Sequence, residues 1–478
     1  MASCSCLSLQ VSSMRTVLEY YEIYPKVYLA GERSRVTVRA LGRHAAFGAC
    51  STWRIRVIPM NDSADHLRHP FSQEHPYCSA HPAADHQSVE REMRIMTSEE
   101  MQLSFEWVFP SEQEYTLEIL QESRQGEAGG RQPGRRLEQK VYAVERDLFG
   151  RIPLKGNMHM HSFRSDGKEA PEIVAASYRR AGYDFIAITD HARYEPSLEA
   201  IDAYRDVPLD LKMFPGEEVH APDNNIHIIN FAGLSSVNEW IRGHVKEYYE
   251  ACEQRRRDLG LPDEFRYFEY ASSQWVFDQI RQSGGLAILA HPNWIWCGSY
   301  NIPSDLYRRF LKDGGFDALE LINGGNRPEE NEAQIAVWQE ERAHGSQAVA
   351  TGSDDSHGSV NGEYFDNAKT YVLARSSERS DILSAIRSSR CIAALQYRGE
   401  SAHYYGDARM IAYMAFLERE YFPIHDDMCI EEGRMMKAYV CGEASAASRL
   451  NMLYGQTRSL AERLLQVKGP AVSETLKE

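Results

Sequence analysis

Hydrophobic and polar positions change rhythm twice along this chain. From about residue 14 to 146 they alternate with period two: Val36, Val38 and Ala40 against Arg35, Thr37 and Arg39, then Trp53, Ile55 and Val57 against Arg54 and Arg56. Leu103, Phe105 and Trp107 repeat the pattern, as do Tyr115, Leu117 and Ile119 and the stretch around Val141. Alternation of this kind predicts strands with one buried face, most simply a small β-sandwich. Two inserts interrupt it: Asn61 to Gln87, rich in His and Pro, and the polar, Gly-rich stretch from Glu122 to Arg136, read as a long hairpin loop.

From Gly156 apolar runs alternate with helical periodicity. Strands are predicted at NMHMHS, Asp184–Thr189, Met213–Val219, Ile226–Ala232, Leu286–Ala290, Ala318–Ile322, Ala348–Thr351 and Thr370–Ala374. Helices are predicted at Pro171–Ala181, Asn238–Leu259, Ser273–Gln282, Ser304–Lys312 and Glu329–His344. Such alternation implies an α/β fold, a parallel sheet covered by helices, either a barrel or doubly wound. After about Gly399 the chain turns helical, with amphipathic spacing at Ala408–Tyr421, Cys429–Val440 and Ala444–Val467. The resulting division is a β-sandwich-like domain over 1–150, an α/β domain over 151–398 and a helical appendage over 399–478. The appendage would pack on the α/β domain or on a second subunit, making a homo-oligomer.

Composition narrows this little. At 478 residues the chain exceeds one compact core. No apolar run is long enough to span a bilayer, and MASCSCLSLQVSS makes a poor signal peptide. Nine scattered cysteines suggest reduced thiols and a cytoplasmic location. A formal charge of −16 disfavours stable binding to nucleic acid.

The chemistry lies at the predicted strand ends of the middle segment. In order come His159-x-His161, Ser-Asp166-Gly, Thr-Asp-His191, Gly-Glu-Glu218, His227, Ala-His291-Pro and Asp355-x-His357. Two histidines two apart on a strand face the same side. Histidine with carboxylate suits a borderline divalent cation such as zinc, manganese or iron. Alone, each has an ordinary explanation: a hydrogen-bonded core histidine, a salt-bridged Asp-His pair, a Ser-Asp-Gly turn. Their joint placement within one α/β segment argues for a metal site. Neighbours compete: Glu217 adjoins Glu218 with His220 two beyond, Asp354 adjoins Asp355, and Asp190 adjoins His191. Shared parity with His357 favours Asp355; between Glu217 and Glu218 the spacing leaves the choice open.

The order HMH…SDG…TDH…GEE…HII…AHP…DDSH resembles the PHP (polymerase and histidinol phosphatase) superfamily over roughly residues 156–395. The resemblance implies a distorted TIM-like (β/α)7 barrel holding up to three divalent ions. It places His159, His161, Glu218 and Asp355 on a first metal, and Glu218 with His227 and His291 on a second. Asp166, His191 and His357 fall on a third. The family's Gly-x-Glu pattern selects Glu218. Ala192 after Thr-Asp-His and Ser353 before the aspartate pair depart from the usual residues without removing a ligand.

Three divalent ions against three carboxylates leave an excess of about +3, which suits an anionic phosphate ester. The expected activity is that of a metal-dependent phosphoesterase acting on a small anionic molecule through metal-bound hydroxide. Hydrolysis of a carbamate, amide or carboxylic ester is the alternative, and a non-catalytic scaffold a third reading. Asp355 and Arg164 would take part in catalysis. Arg164, Asn293 and Asn323 are candidate substrate contacts, and Trp294 and Trp296 candidate pocket walls; for Arg164 a solvated loop position explains the residue equally well. His66, His69, His75, His81, His86 and Cys78, interleaved with Pro70, Pro76 and Pro82, match no compact metal motif. Asp184 is expected to cap a strand, and His425-Asp426-Asp427 a helix.

Overall fold

The computed structural model describes residues 20–48, 50–61, 92–97, 99–122, 135–359 and 364–467. The histidine- and proline-rich tract from His66 to His86 lies outside them, as does most of the second insert. The chain divides into two compact units. One comprises the residues through Gly150, Ala412–Tyr421 and the chain from Leu460; the other is Arg151–Ile411 with Phe422–Ser459. The tail's helices are thus shared between the units.

The first unit packs two sheets on one core. Tyr21–Tyr24, Arg33–Ala40 and Gln102–Val108 form an antiparallel sheet. Val27–Leu29, Arg136–Val144, Gln113–Gln121, Thr52–Pro59 and Glu92–Met96 form the other, antiparallel apart from its first pair. Val36, Val38, Leu103 and Phe105 from one sheet meet Trp53, Ile55, Leu117 and Ile119 from the other. The period-two positions are therefore the buried ones, as a sandwich requires. Tyr413 and Phe416 of the helix Ala408–Glu420 pack on Tyr142, with ring centroids 5.1 and 5.3 Å away. Lys26 Nζ meets Glu420 Oε2 at 2.6 Å.

The second unit is a mixed α/β structure with a two-stranded sheet, Ile295–Trp296 with Ser299–Tyr300, and two large ones. One runs Lys212–Met213, Phe185–Ile186, Ile152–Asn157, Ala368–Ala374, Cys391–Leu395, His403–Tyr405; the other runs Gly216–Val219, Ile228–Phe231, Leu286–Leu289, Ala318–Asn323, Ala350–Ser353. Two parallel bridges, Met160 with Ser356 and His191 with Glu218, link segments that flank these sheets.

Several expectations need correction. The sheets are mixed, not parallel: Gly216–Val219 pairs antiparallel with Ile228–Phe231, and Ile152–Asn157 with Ala368–Ala374. The first of these pairs is joined by residues 220–227 with no helix between, too short a link for a crossover. The NMHMHS strand ends at Asn157, so His159 and His161 follow a strand rather than lie in one. Helices Glu195–Ala203 and Arg379–Arg387 were not expected. The helix expected over Asn238–Leu259 is two, Val237–Gly243 and Val245–Asp258, and the one over Ala444–Val467 is Ala446–Leu453 and Gln456–Leu465. The latter break falls at Gly455, whose φ is +84°, and Asp210 accepts from the backbone N–H groups of Gly455 and Thr457. His425 caps nothing: it lies inside the helix Phe422–Val440. Its ring nitrogens sit 2.8 Å from Asp184 and 2.9 Å from Asp426. Asp184, besides accepting from the Lys155 backbone N–H, thereby anchors buried Arg179 at 3.1 Å. Among the described residues no helix is long and apolar enough to cross a membrane.

Candidate metal centre

Strand direction gathers the site. His191, Glu218, His291 and Asp355 come at or just after the carboxyl ends of their strands. Because Ile228–Phe231 runs antiparallel to its neighbours, its amino end lies at the same edge, and His227 immediately precedes it. Several residues here turn with positive φ: Ala192 at 53°, His291 at 23° and Asp355 at 51°. Such conformations cost of order 1–3 kcal/mol each and cluster where side chains must be aimed.

Glu218 is the hub. It is fully buried, with Oε1 lying 2.8 Å from His227 Nδ1, 3.5 Å from His291 Nε2 and 3.6 Å from His159 Nε2. Oε2 lies 2.5 Å from His191 Nδ1, 3.5 Å from His220 Nε2 and 3.7 Å from His161 Nε2. Asp355 Oδ1 reaches His161 at 3.0 Å and His159 at 3.2 Å. Asp166 Oδ2 is 3.3 Å from both His191 Nε2 and His357 Nε2. All nine expected ligands therefore converge.

Whether these residues fit cations is tested by what they leave unmet. Both Glu218 oxygens, His159 Nε2, His161 Nδ1, His227 Nδ1 and His291 Nδ1 are buried yet have no hydrogen-bond partner. Histidine nitrogens within 4 Å of a carboxylate, but misaligned for hydrogen bonding, are what a shared cation between them would produce. Donor atoms of His161, Asp166, His191 and His357 lie within 4.8 Å of one another, as do those of His159, His291 and Asp355. The residues fit divalent ions.

The electrostatics agree. Burial opposes it, yet His227, His159 and His191 hold the Glu218 carboxyl well below its ordinary range. Asp355, against the same penalty, is held down by His159 and His161. Asp166 is likewise low because His191 and His357 flank it. Burial disfavours the His191 cation, but Glu218 and Asp166 outweigh this and push its pKa to about 10. For His227 burial wins, pulling it to about 4.

The rejected neighbours are occupied elsewhere. Glu217 accepts from Asn230, Ser236 Oγ, the Val237 N–H and Asn238. Asp354 accepts from Tyr178 at 2.6 Å and the Asp366 N–H at 2.8 Å. Asp190 accepts from Ser162 and Ser165. Among the substrate candidates, Arg164 turns away to Glu199 at 2.8 Å. Asn323 is spent within the protein: its amide reaches Glu320 at 3.0 Å and Asp355 at 3.4 Å, and its oxygen accepts from Gly325 and Asn326. Asn293 is buried with Oδ1 unpartnered. Trp294 stands 5.3 Å from His291, and Trp296 stacks on it at 5.4 Å, 65% exposed. Sequence reasoning missed Glu320, which accepts from His159 Nδ1 and the His291 N–H, both at 3.0 Å. Its only sequence signal was an acid inside the apolar run ALELIN.

Over 75 residues, 16% of this chain, the sequence is 35% identical to the DNA polymerase/3′-5′ exonuclease PolX of Bacillus subtilis. The match spans only 13% of the PolX chain. No family model matches this chain. Two solved structures are similar to it. One is a two-domain protein of Bacteroides vulgatus containing a predicted PHP-like metal-dependent phosphoesterase, 18% identical, with a TM-score of 0.36 over 52% of this chain and 66% of that one. The other is a Chromobacterium violaceum amidohydrolase with bound sulfate and no metal, 19% identical, with a TM-score of 0.29 over 42% of this chain and 87% of that one.

Proposed function

We propose that this protein is a metal-dependent phosphoesterase of the PHP superfamily with up to three divalent ions in its centre. The observation that carries the reading is Glu218, buried among six imidazoles with both oxygens unpartnered. His159, His161, Glu218 and Asp355 would hold one ion, Glu218, His227 and His291 a second, and Asp166, His191 and His357 a third. When bound, such ions supply an activated water near neutral pH and stabilise charge on the leaving oxygen. The chain's own residues contribute rigidity. Glu320 fixes the His159 ring through Nδ1, leaving Nε2 to face Glu218 and Asp355. Asn323 braces Asp355. Asn293, with a buried oxygen to satisfy, is the best-placed group to orient substrate, and Trp294 with Trp296 wall the pocket.

Three ions and three carboxylates leave about +3, which attracts a phosphate ester more than a neutral carbonyl compound. We read the two sheets around this centre as a distorted (β/α)7 barrel. The test is a panel of phosphate monoesters and diesters against carboxylic esters and carbamates, with His159→Ala as control. Phosphate ester cleavage lost by at least about 100-fold in the variant is expected. Turnover confined to carboxylic esters or carbamates would instead favour carbonyl hydrolysis in the same centre.

A further inference from the structure

His220 belongs to none of the three expected ligand sets, yet its ring points into the centre. It lies just past the strand Gly216–Val219, with Nε2 3.5 Å from Glu218 Oε2. Its backbone N–H donates to Asn238 Oδ1 at 3.1 Å, and its ring stacks on His227 with centroids 4.1 Å apart and planes at 28°. The same Asn238 grips Glu217 Oε2 at 2.8 Å and the Glu218 carbonyl at 3.1 Å. Asn238 thus holds the His220 backbone while His227 packs against its ring.

What it meets is His191 Nδ1, at 2.9 Å and in hydrogen-bonding geometry. The other nitrogen of His191, Nε2, faces Asp166 Oδ2 at 3.3 Å, and His191 groups both with His161, Asp166 and His357 and with Glu218 and His220. A ligating imidazole offers a lone pair from one nitrogen only if its proton sits on the other, and that proton needs an acceptor. Glu218 Oε2 is near, but neither Glu218 oxygen has a hydrogen-bond partner. The aligned acceptor is His220 Nε2. We propose that His220 is a positioning residue: it accepts the Nδ1 proton of His191 and so fixes the tautomer that lets His191 hold the third ion. This rests on the metal-dependent reading of the centre. It also ties two parts of the centre together, because His220 leans on His227, a ligand of the second ion.

The test uses the full chain, stripped of metal and titrated with Mn²⁺ or Zn²⁺ to count ions and affinities. His220→Ala and His220→Leu remove the acceptor, the second keeping bulk against His227. His220→Gln restores an acceptor oxygen. The expected result is two ions bound as in wild type and a third weakened roughly 10–100-fold in Ala and Leu, recovered in Gln. An unchanged third ion in Ala and Leu would overturn the inference. So would equal loss in all three variants, which would make His220 a direct ligand or a packing residue. Wild-type protein that takes up no ion would overturn the proposed function as well, so the two failures are told apart.

Discussion

At the residue scale the centre is built from neighbouring pairs that face opposite ways. Glu218 looks into the ligand cluster while Glu217 is tied by four donors to the segment 230–238. Asp355 and Asp354 divide in the same manner. Parity with His357 favoured Asp355 in the spacing, although Asp355 lies beyond its strand with a φ of 51°. Glu217 and Glu218 were not separable in that way, since what distinguishes them is the donor set brought by Asn230, Ser236 and Asn238 from later in the chain. Asp354 yields a prediction. Burial pushes its pKa up to about 7 from 3.8, despite the Tyr178 hydroxyl. A raised folded-state pKa means that the native form binds the extra proton, so this contribution is fully present below about pH 4 and is lost as pH rises through 7. Asp354→Asn should therefore flatten the fall in stability between those limits, as read by urea midpoints at several pH values. An unaltered slope would show that Asp354 is not the titrating group.

At the scale of elements, many strands were legible from local pattern, though the helices Glu195–Ala203 and Arg379–Arg387 and the break at Gly455 were not. Apolar runs gave the strands that carry Glu218, His291 and Asp355, and the alternating positions of the first unit are its buried ones. What also escaped were features set by partners distant in sequence. The antiparallel direction of Ile228–Phe231 depends on two neighbours, Gly216–Val219 and Leu286–Leu289. His425 resembled a helix cap until its contacts with Asp184, 241 residues away, were visible. The helix Phe422–Val440 packs against Pro171–Arg180 through Gly433, where a Cβ would fall 2.7 Å from the Ala176 carbonyl oxygen and closer still to the Arg180 backbone. Backbone cannot yield as a side-chain tip can. Gly433→Ala should destabilise the protein by about 1–3 kcal/mol, with the urea m-value unchanged. A loss below about 0.5 kcal/mol would mean that the two helices separate cheaply.

For the whole molecule, charge links the centre to its surroundings. The chain carries −16 with its histidines counted neutral. Without metal, burial disfavours the cations of His159, His291 and His357, but the carboxylates around them raise all three, and His191 reaches about 10. The carboxylates thus favour the protonated rings, and incoming ions must compete with protons for them. Metal uptake should release protons and weaken as pH falls, giving binding heats that vary with the ionisation enthalpy of the buffer; buffer-independent heats would contradict the charge states described. The most direct measurement of all is the number of ions the intact protein holds. Elemental analysis after purification without chelator, repeated after saturation with manganese, zinc or iron, should find three per chain, with phosphate ester hydrolysis rising and falling with that content. A protein that retains no ion under any of these conditions would contradict the account.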